Sequence, residues 1–441
     1  MSSPAAEPPT RARYILVLWL CGLSSILYLD RICMSQAVKP ISEEFSLTKT
    51  EMSYALMAFT LAYGLFAVPA GRLGDLQGPR SVLTGLVVAW SAFTAFTGVA
   101  TGLITLVLVR FLFGAAEAGA FPNTAKIVSR WYPLAERGRV QGIMLAFAQV
   151  GAIIAPAATA YLIDSIGWRV TFVAFALVGF AWALGFRLWF RNDPSEHSGV
   201  NAAELEQIRA DTPPPAADPG PVPWRAVLTN RGLIVLSLIM ILAAFFTYFF
   251  YSWFPTYLRD GRGVGNVEAG WLTTLVMAGS APGMLLGGWI SDRISRLSTN
   301  PIRDRRRTCL LAFLSAAACL FAGTRCEEPL ALSVLWSLSM CLMHIQLPNW
   351  WSVIIPQSGK HTATLFGLTN GIGVLGAMAS QGFVGVFADY QEKTRGLSGR
   401  AQWDPIFDVY VLVLVLGGFA WWCYRFTPLE DSAADPREVD S

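Results

Sequence analysis

The chain has 441 residues, of which 54% are hydrophobic and 14% charged, and its formal net charge is +3. Soluble domains carry about 25% charged residues, so this chain lacks the polar surface to cover itself in water. So small a net charge also argues against a nucleic-acid partner.

The apolar residues fall into blocks of about 20, enough to cross a bilayer core of about 30 Å at a rise of about 1.5 Å per residue. Residues 1–13 form a polar N-terminus. The first block, 14–37, is too long for a signal-peptide core and ends without a small-x-small cleavage site, so it is expected to stay as the first span. Further spans are expected at 50–73, 81–101, 103–128, 138–163 and 168–190, the third and fourth separated only by a turn at Thr101 and Gly102. Together they make an N-terminal six-helix bundle over 14–190. From 191 to 231 the hydrophobicity collapses into a linker with Glu196, Glu204, Glu206, Asp211 and a run of prolines. Residues 202–210 read as a short surface helix and the proline part as extended chain. The linker is taken as a plain tether, with a regulatory docking site as the alternative. A second set follows at 232–258, 269–290, 308–323, 329–355, 362–387 and 406–426, a C-terminal bundle over 232–426. The acidic tail, 427–441, is expected to be disordered. The fold class is therefore an all-α membrane protein with twelve transmembrane helices in two six-helix bundles.

Arginines set the orientation. Arg72 and Arg80, Arg130, Arg137 and Arg139, and a cluster from Arg293 to Arg307 lie in alternate loops, which places both termini and the linker in the cytoplasm. The seven cysteines have no metal-binding spacing and read as small buried residues. No cofactor or metal is expected.

A repeat divides the chain. Gly71-Arg72-Leu73-Gly74-Asp75 ends the second span and Gly288-Trp289-Ile290-Ser291-Asp292 the eighth, with both glycine and aspartate 217 residues apart (288 − 71 and 292 − 75). Parallel six-span halves carrying the same motif are what a duplicated transporter predicts. Gly71 through Asp75 to Arg80 resembles the cytoplasmic signature of the major facilitator superfamily, although Leu76 and Gln77 replace its usual basic and aromatic residues. Gly71, Asp75, Arg80 and Asp292 are the expected gating residues, with Asp75 placed to attract a neighbouring helix N-terminus and the arginines to meet acids across the halves. Tyr28-Leu29-Asp30-Arg31 and the run from Arg110 through Glu117 to Pro122 resemble the anion:cation symporter family, which includes bacterial sugar-acid carriers. The absence of any Asn-x-Ser/Thr sequon and the resemblance together favour a bacterial inner membrane.

Ionisable residues at mid-membrane cost about 2.5–3.5 kcal/mol on insertion scales, so Asp30, Arg31, Arg110 and Glu117 need a reason to be there. Ion pairs from Asp30 to Arg110 and from Arg31 to Glu117 would hold the first and fourth spans together. A functional role is compatible with that one. The resemblance implies that Asp30 and Glu117 carry protons and that Arg31 contacts substrate. A guanidinium suits a carboxylate through two parallel hydrogen bonds, and Arg110 would tune the acids beside the substrate site. Tyr63 and Asn370 are the further substrate-binding candidates. Tyr251, Trp253 and Tyr257 beside Pro255, whose missing donor can bend the seventh span, and His344 and Gln346 of the tenth read as packing residues in the first instance, whereas Asn349, Trp350 and Trp351 are candidates to line the C-terminal half of the cavity.

The function expected is proton-coupled symport of a small organic anion, a sugar acid or related carboxylate, by alternating access in a monomer. A uniporter or exchanger without proton coupling is the alternative, followed by a non-transporting sensor. With three histidines and no nucleophile–base set, an enzyme is not expected.

Overall fold

The structure is a computed structural model that describes residues 8–209 and 222–429. Among these residues all regular structure is helical. The N-terminal half contains α1 (Ala12–Phe45), α2 (Lys49–Gln77), α3 (Pro79–Thr97), α4 (Leu103–Glu117), α5 (Ala120–Trp131) and α6 (Leu134–Trp189). The linker carries α7 (Ala202–Arg209) and α8 (Trp224–Thr229). The C-terminal half contains α9 (Arg231–Ser252), α10 (Phe254–Asp260), α11 (Asn266–Ala278), α12 (Ser280–Leu297), α13 (Pro301–Arg325), α14 (Pro329–His344), α15 (Gln346–Ser358), α16 (Thr362–Arg395), α17 (Gly399–Trp403) and α18 (Ile406–Cys423).

Eleven helical stretches among the described residues are long and apolar enough to cross a membrane. One of them, α6, runs for 56 residues, far beyond the roughly 20 that a crossing needs. It breaks at Gly167, whose φ of 78° is open to glycine and strained for other residues. Counted as two spans, α6 brings the total to twelve.

Four spans are each built from two helices, and each break lies just ahead of a proline. A proline has no N–H for the carbonyl four residues earlier. Pro122 leaves Ala118 without a partner at the α4–α5 break, Pro282 does the same for Ala278 between α11 and α12, and Pro348 for His344 between α14 and α15. Pro255 breaks the seventh span at Trp253, where φ falls to −116°.

The halves meet along α2 and α16 and along the first part of α6 and α11. Lys39 pairs with Asp260 at 2.7 Å, Arg259 donates to the Gln36 carbonyl at 3.1 Å and Asn266 donates to the Ala160 carbonyl at 3.0 Å. Beside Pro156 of α6, the Thr274 hydroxyl donates to the Ile153 carbonyl at 2.8 Å and accepts from the Ala157 amide at 3.3 Å. These contacts lie toward one end of the molecule, and midway along the spans Gln149 of α6 donates to Ser280 Oγ at 3.2 Å and to Met284 Sδ at 3.4 Å, both on α12. At the opposite end, which carries Gly71–Arg80 and Gly288–Asp292, no hydrogen bond or ion pair joins the halves among the described residues. The molecule is closed at one end and parted at the other.

The linker is more than a tether. Glu204 is fully buried and accepts from the backbone amides of Ala12 at 3.2 Å and Arg13 at 3.1 Å, while Thr10 also donates to it. A carboxylate there satisfies free donors at the start of α1 and opposes its dipole. Gln207 accepts from Arg13 at 3.0 Å, and the His197 ring lies edge-on to Trp131 and Trp189. The expected surface helix is present as α7, docked on the N-terminal half. The proline run up to Pro221 and most of the acidic tail lie outside the described residues.

Candidate substrate site

The site lies inside the N-terminal half, where α1, α2 and α4 converge. Arg31 and Glu117 form a buried pair. Arg31 Nε donates to Glu117 Oε1 at 2.9 Å, and Nη2 donates to the same oxygen. The other carboxylate oxygen, Oε2, is buried without a partner. Glu117 is the last residue of α4, directly before the Pro122 break, so the pair sits at an interruption in its span.

Aromatic rings enclose the guanidinium. Its carbon lies 4.7 Å from the centre of Tyr63, 5.0 Å from Tyr28 and 5.3 Å from Phe59. Such faces attract a cation and leave its planar edge free for hydrogen bonds. Tyr248 of α9, in the opposite half, lies within electrostatic reach of the same charge. Phe59 and Tyr248 were missed in the sequence, and Tyr28 was named only as part of the run that holds Arg31. Helical spacing signals two of them: Tyr28 is three residues before Arg31, and Phe59 is four before Tyr63.

Asp30 turns away from this group. It is 1% exposed and neither carboxylate oxygen has a hydrogen-bond partner, although Arg110 and Glu117 are within electrostatic reach. Arg110, 2% exposed, packs its guanidinium 4.6 Å from the centre of Phe113 and 5.1 Å from that of Phe59. The expected Arg31–Glu117 pair is present, whereas Asp30 and Arg110 form no direct ion pair. Aromatic faces hold Arg110 in place of a carboxylate.

Asn370 is exposed on α16. It precedes Val374 by one helical turn, and Val374 is the residue that meets Gly64 of α2 across the seam. Asn370 therefore shares the face that looks into the gap between the halves. Trp253 and Tyr257 are fully buried among Trp336, Phe407 and Trp403 and belong to the C-terminal core. The Tyr251 ring lies tilted against that of Tyr248, their centres 5.6 Å apart. His344 is buried with Nδ1 against the Met340 carbonyl at 2.8 Å, a contact within its own helix. Gln346 and Asn349 are also buried, each with an unpartnered side-chain oxygen.

At the parted end, the repeated motif makes contacts only within each half. Asp75 pairs with Lys126 of α5 at 2.7 Å, and Arg80 donates to the Arg187 carbonyl at 3.1 Å. Lys126 also donates to the Gly74 carbonyl at 3.0 Å, and it too was overlooked in the sequence, although it stands within the expected fourth span. A β-carbon at Gly74 would collide with Asn123, so this glycine allows the close approach of α2 and α5. Asp292 is exposed. In the second copy Gly288 faces open space and the close approach is made by Gly287 against Ile345.

Comparison with known proteins bears on the family and the fold. The profile described as Major Facilitator Superfamily matches residues 20–381. A protein named "Probable sulfoacetate transporter SauU" from Cupriavidus necator is 30% identical, over 84% of this chain and 86% of that protein. The "D-galactonate transporter" of Escherichia coli is 29% identical, over 83% of this chain and 86% of that protein. Among solved structures, a bacterial homologue of the human lysosomal transporter Spinster superposes with a TM-score of 0.74 at 20% identity, covering 97% of this chain and all of that one.

Proposed function

Because the chain belongs to the major facilitator superfamily, a family of multi-pass membrane transporters, we propose that it is a proton-coupled symporter of a small organic anion. The substrate class is a sugar acid or a related carboxylate. Its similarity to carriers named for sulfoacetate and D-galactonate supports that class.

The observation that carries this reading is a buried guanidinium, Arg31, whose planar edge meets a carboxylate of the protein while the rings of Tyr63, Tyr28 and Phe59 surround it. Arg31 offers a planar donor edge, and in this structure Glu117 occupies it. An entering carboxylate takes that edge through paired hydrogen bonds. Glu117, left buried without its cation, then favours the protonated form, since burial opposes the charged state and the compensating charge is gone. A proton and an anion thus bind together. Asp30, buried with both oxygens unpartnered, is the second proton carrier, and Arg110 tunes both acids. Tyr63 and Asn370 contact the substrate from opposite halves. Rocking of the two halves about this site exposes it to each side in turn. With the arginine-rich loops in the cytoplasm, the parted end faces inward, Gly71, Asp75, Arg80 and Asp292 form the inner gate, and both termini are cytoplasmic. The monomer is the functional unit.

Liposome uptake tests this. Labelled D-galactonate, D-glucuronate and sulfoacetate are offered with and without an inward proton gradient. Accumulation should follow the gradient, and Glu117→Gln should abolish it while leaving counterflow exchange intact. Wild-type uptake that ignores the gradient would establish uniport or exchange in place of symport.

A further inference from the structure

The seam between α2 and α16 is a continuous antiparallel contact whose polar members have no part in the substrate site. From the middle of the molecule outward, Gly64 meets Val374, Thr60 meets Gln381, Met57 meets Gly382, and Lys49 and Ser53 meet Gly385. A β-carbon at Gly385 would lie 2.5 Å from the Lys49 carbonyl oxygen and 2.9 Å from Ser53. The backbones are therefore as close as glycine permits.

Two side chains of α16 supply the polar ties. Gln381 is 2% exposed. Its Oε1 accepts from Thr60 Oγ1 at 2.9 Å, its Nε2 donates to Ser252 Oγ at 3.0 Å, and its carbonyl accepts from Trp253 Nε1 at 3.1 Å. It thus joins α2 of one half to the end of α9 in the other. Two turns on, Asp389 is 6% exposed and accepts from the backbone amides of Lys49 at 3.1 Å and Thr50 at 2.9 Å. The remaining donors of that first turn are served locally, because Thr48 and Glu51 form a capping box. The first turn of α2 is completed by a carboxylate from the opposite half. Lys49 Nζ reaches Glu392 at 2.7 Å beside it.

Thr60 lies between Phe59 and Tyr63, two of the rings around Arg31, so the Gln381 tie is attached to the helix segment that lines the substrate site. We propose that Gln381 and Asp389 are positioning residues of the transport cycle, which staple α16 to α2 and set how the protein divides between its two access states. This rests on the alternating-access reading above. Opening this end strips Gln381 of its Thr60 partner and Asp389 of two amides. Water enters the opened cleft and satisfies those groups, so the tie is reversible.

Hydrogen–deuterium exchange of the full-length protein in lipid nanodiscs, read by mass spectrometry, tests the proposal without needing a substrate. Gln381→Leu and Thr60→Val should each speed exchange about fivefold in peptides covering 49–60 and 381–395, the factor expected for one buried hydrogen bond. Exchange in peptides covering 71–80 and 286–297 should slow in the same samples, because the parted end closes as this one opens. Asp389→Asn should act in the same direction, and Thr60→Ser, which keeps the hydroxyl, should match the wild type. Faster exchange at both ends would mean loss of fold stability, and faster exchange at 49–60 alone would mean local fraying. Either result, or no change, overturns the proposal. A protein that shows the reciprocal shift yet takes up none of the three anions keeps these ties and loses the proposed substrate class.

Discussion

A helix turns about 100° per residue, so the consecutive Asp30 and Arg31 must face different neighbours. Arg31 meets Glu117 and the rings of Tyr28, Phe59 and Tyr63, while Asp30 is buried without a hydrogen-bond partner on either oxygen. Arg31→Ala leaves Glu117 buried without its cation, an imbalance that costs about 3–5 kcal/mol. The melting temperature of the variant, followed by tryptophan fluorescence, should fall clearly. Adding Glu117→Gln should restore most of the stability and none of the uptake. Arg31→Lys keeps the charge but loses the planar fork and the stacking, and should lower uptake at least about tenfold. Unchanged melting and uptake in Arg31→Ala would remove the pair from the site. The pair itself was legible in sequence, because an ionisable residue in an apolar block needs a partner and only four stood out in the first half. The partner of Arg110 was not legible. Which neighbour a side chain meets depends on helix tilt and rotation, and the aromatic faces of Phe59 and Phe113 look like any other apolar positions in a list of residues.

Hydropathy reports where lipid can lie, whereas a helix ends where its hydrogen bonds end, and the difference accounts for the errors at the scale of elements. The ninth span was expected from 308, but α13 begins at Pro301 and carries Arg303, Arg305, Arg306 and Arg307 in its first two turns. The breaks ahead of Pro122, Pro282 and Pro348 were readable from the missing donor, and only Pro255 was read so. They could not have been placed by proline alone, since Pro40 and Pro69 sit inside α1 and α2, which run on unbroken. The docking of the linker left less trace, for a buried Glu204 resembles any acid in a polar stretch. Its place at the head of α1 makes a prediction. Glu204→Ala uncovers the first amides of the helix that carries Asp30 and Arg31, a loss of about 1–2 kcal/mol for a cap of this kind. Limited trypsin digestion should then cut after Arg13 and Arg209 sooner than in the wild type, with a lower melting temperature. Cleavage at the wild-type rate would show that α7 is a passenger.

At the scale of the whole molecule, contacts between the halves gather at one end, and the repeated glycine–aspartate motif at the other end touches only its own half. If the arginine-rich loops lie in the cytoplasm, as the proposed orientation has them, the gap that Asn370 faces should be reached from the inside. A single cysteine at position 370 tests orientation and access together. Cys423 is exposed and Cys319, Cys326 and Cys341 are partly so, and these four are first replaced by serine, while the buried Cys21, Cys33 and Cys309 are kept. The Asn370→Cys variant is then exposed to a charged, membrane-impermeant maleimide in inside-out and in right-side-out vesicles. Labelling should be about tenfold faster in inside-out vesicles, as expected where one access state outnumbers the other by that factor. D-galactonate should slow it, since an anion held by Arg31 fills the same gap. Faster labelling in right-side-out vesicles would invert the topology, and equal rates would mean that neither end is favoured in the membrane. Protection by the anion with the expected sidedness would join the charge pair of one half to the amide of the other as a single site.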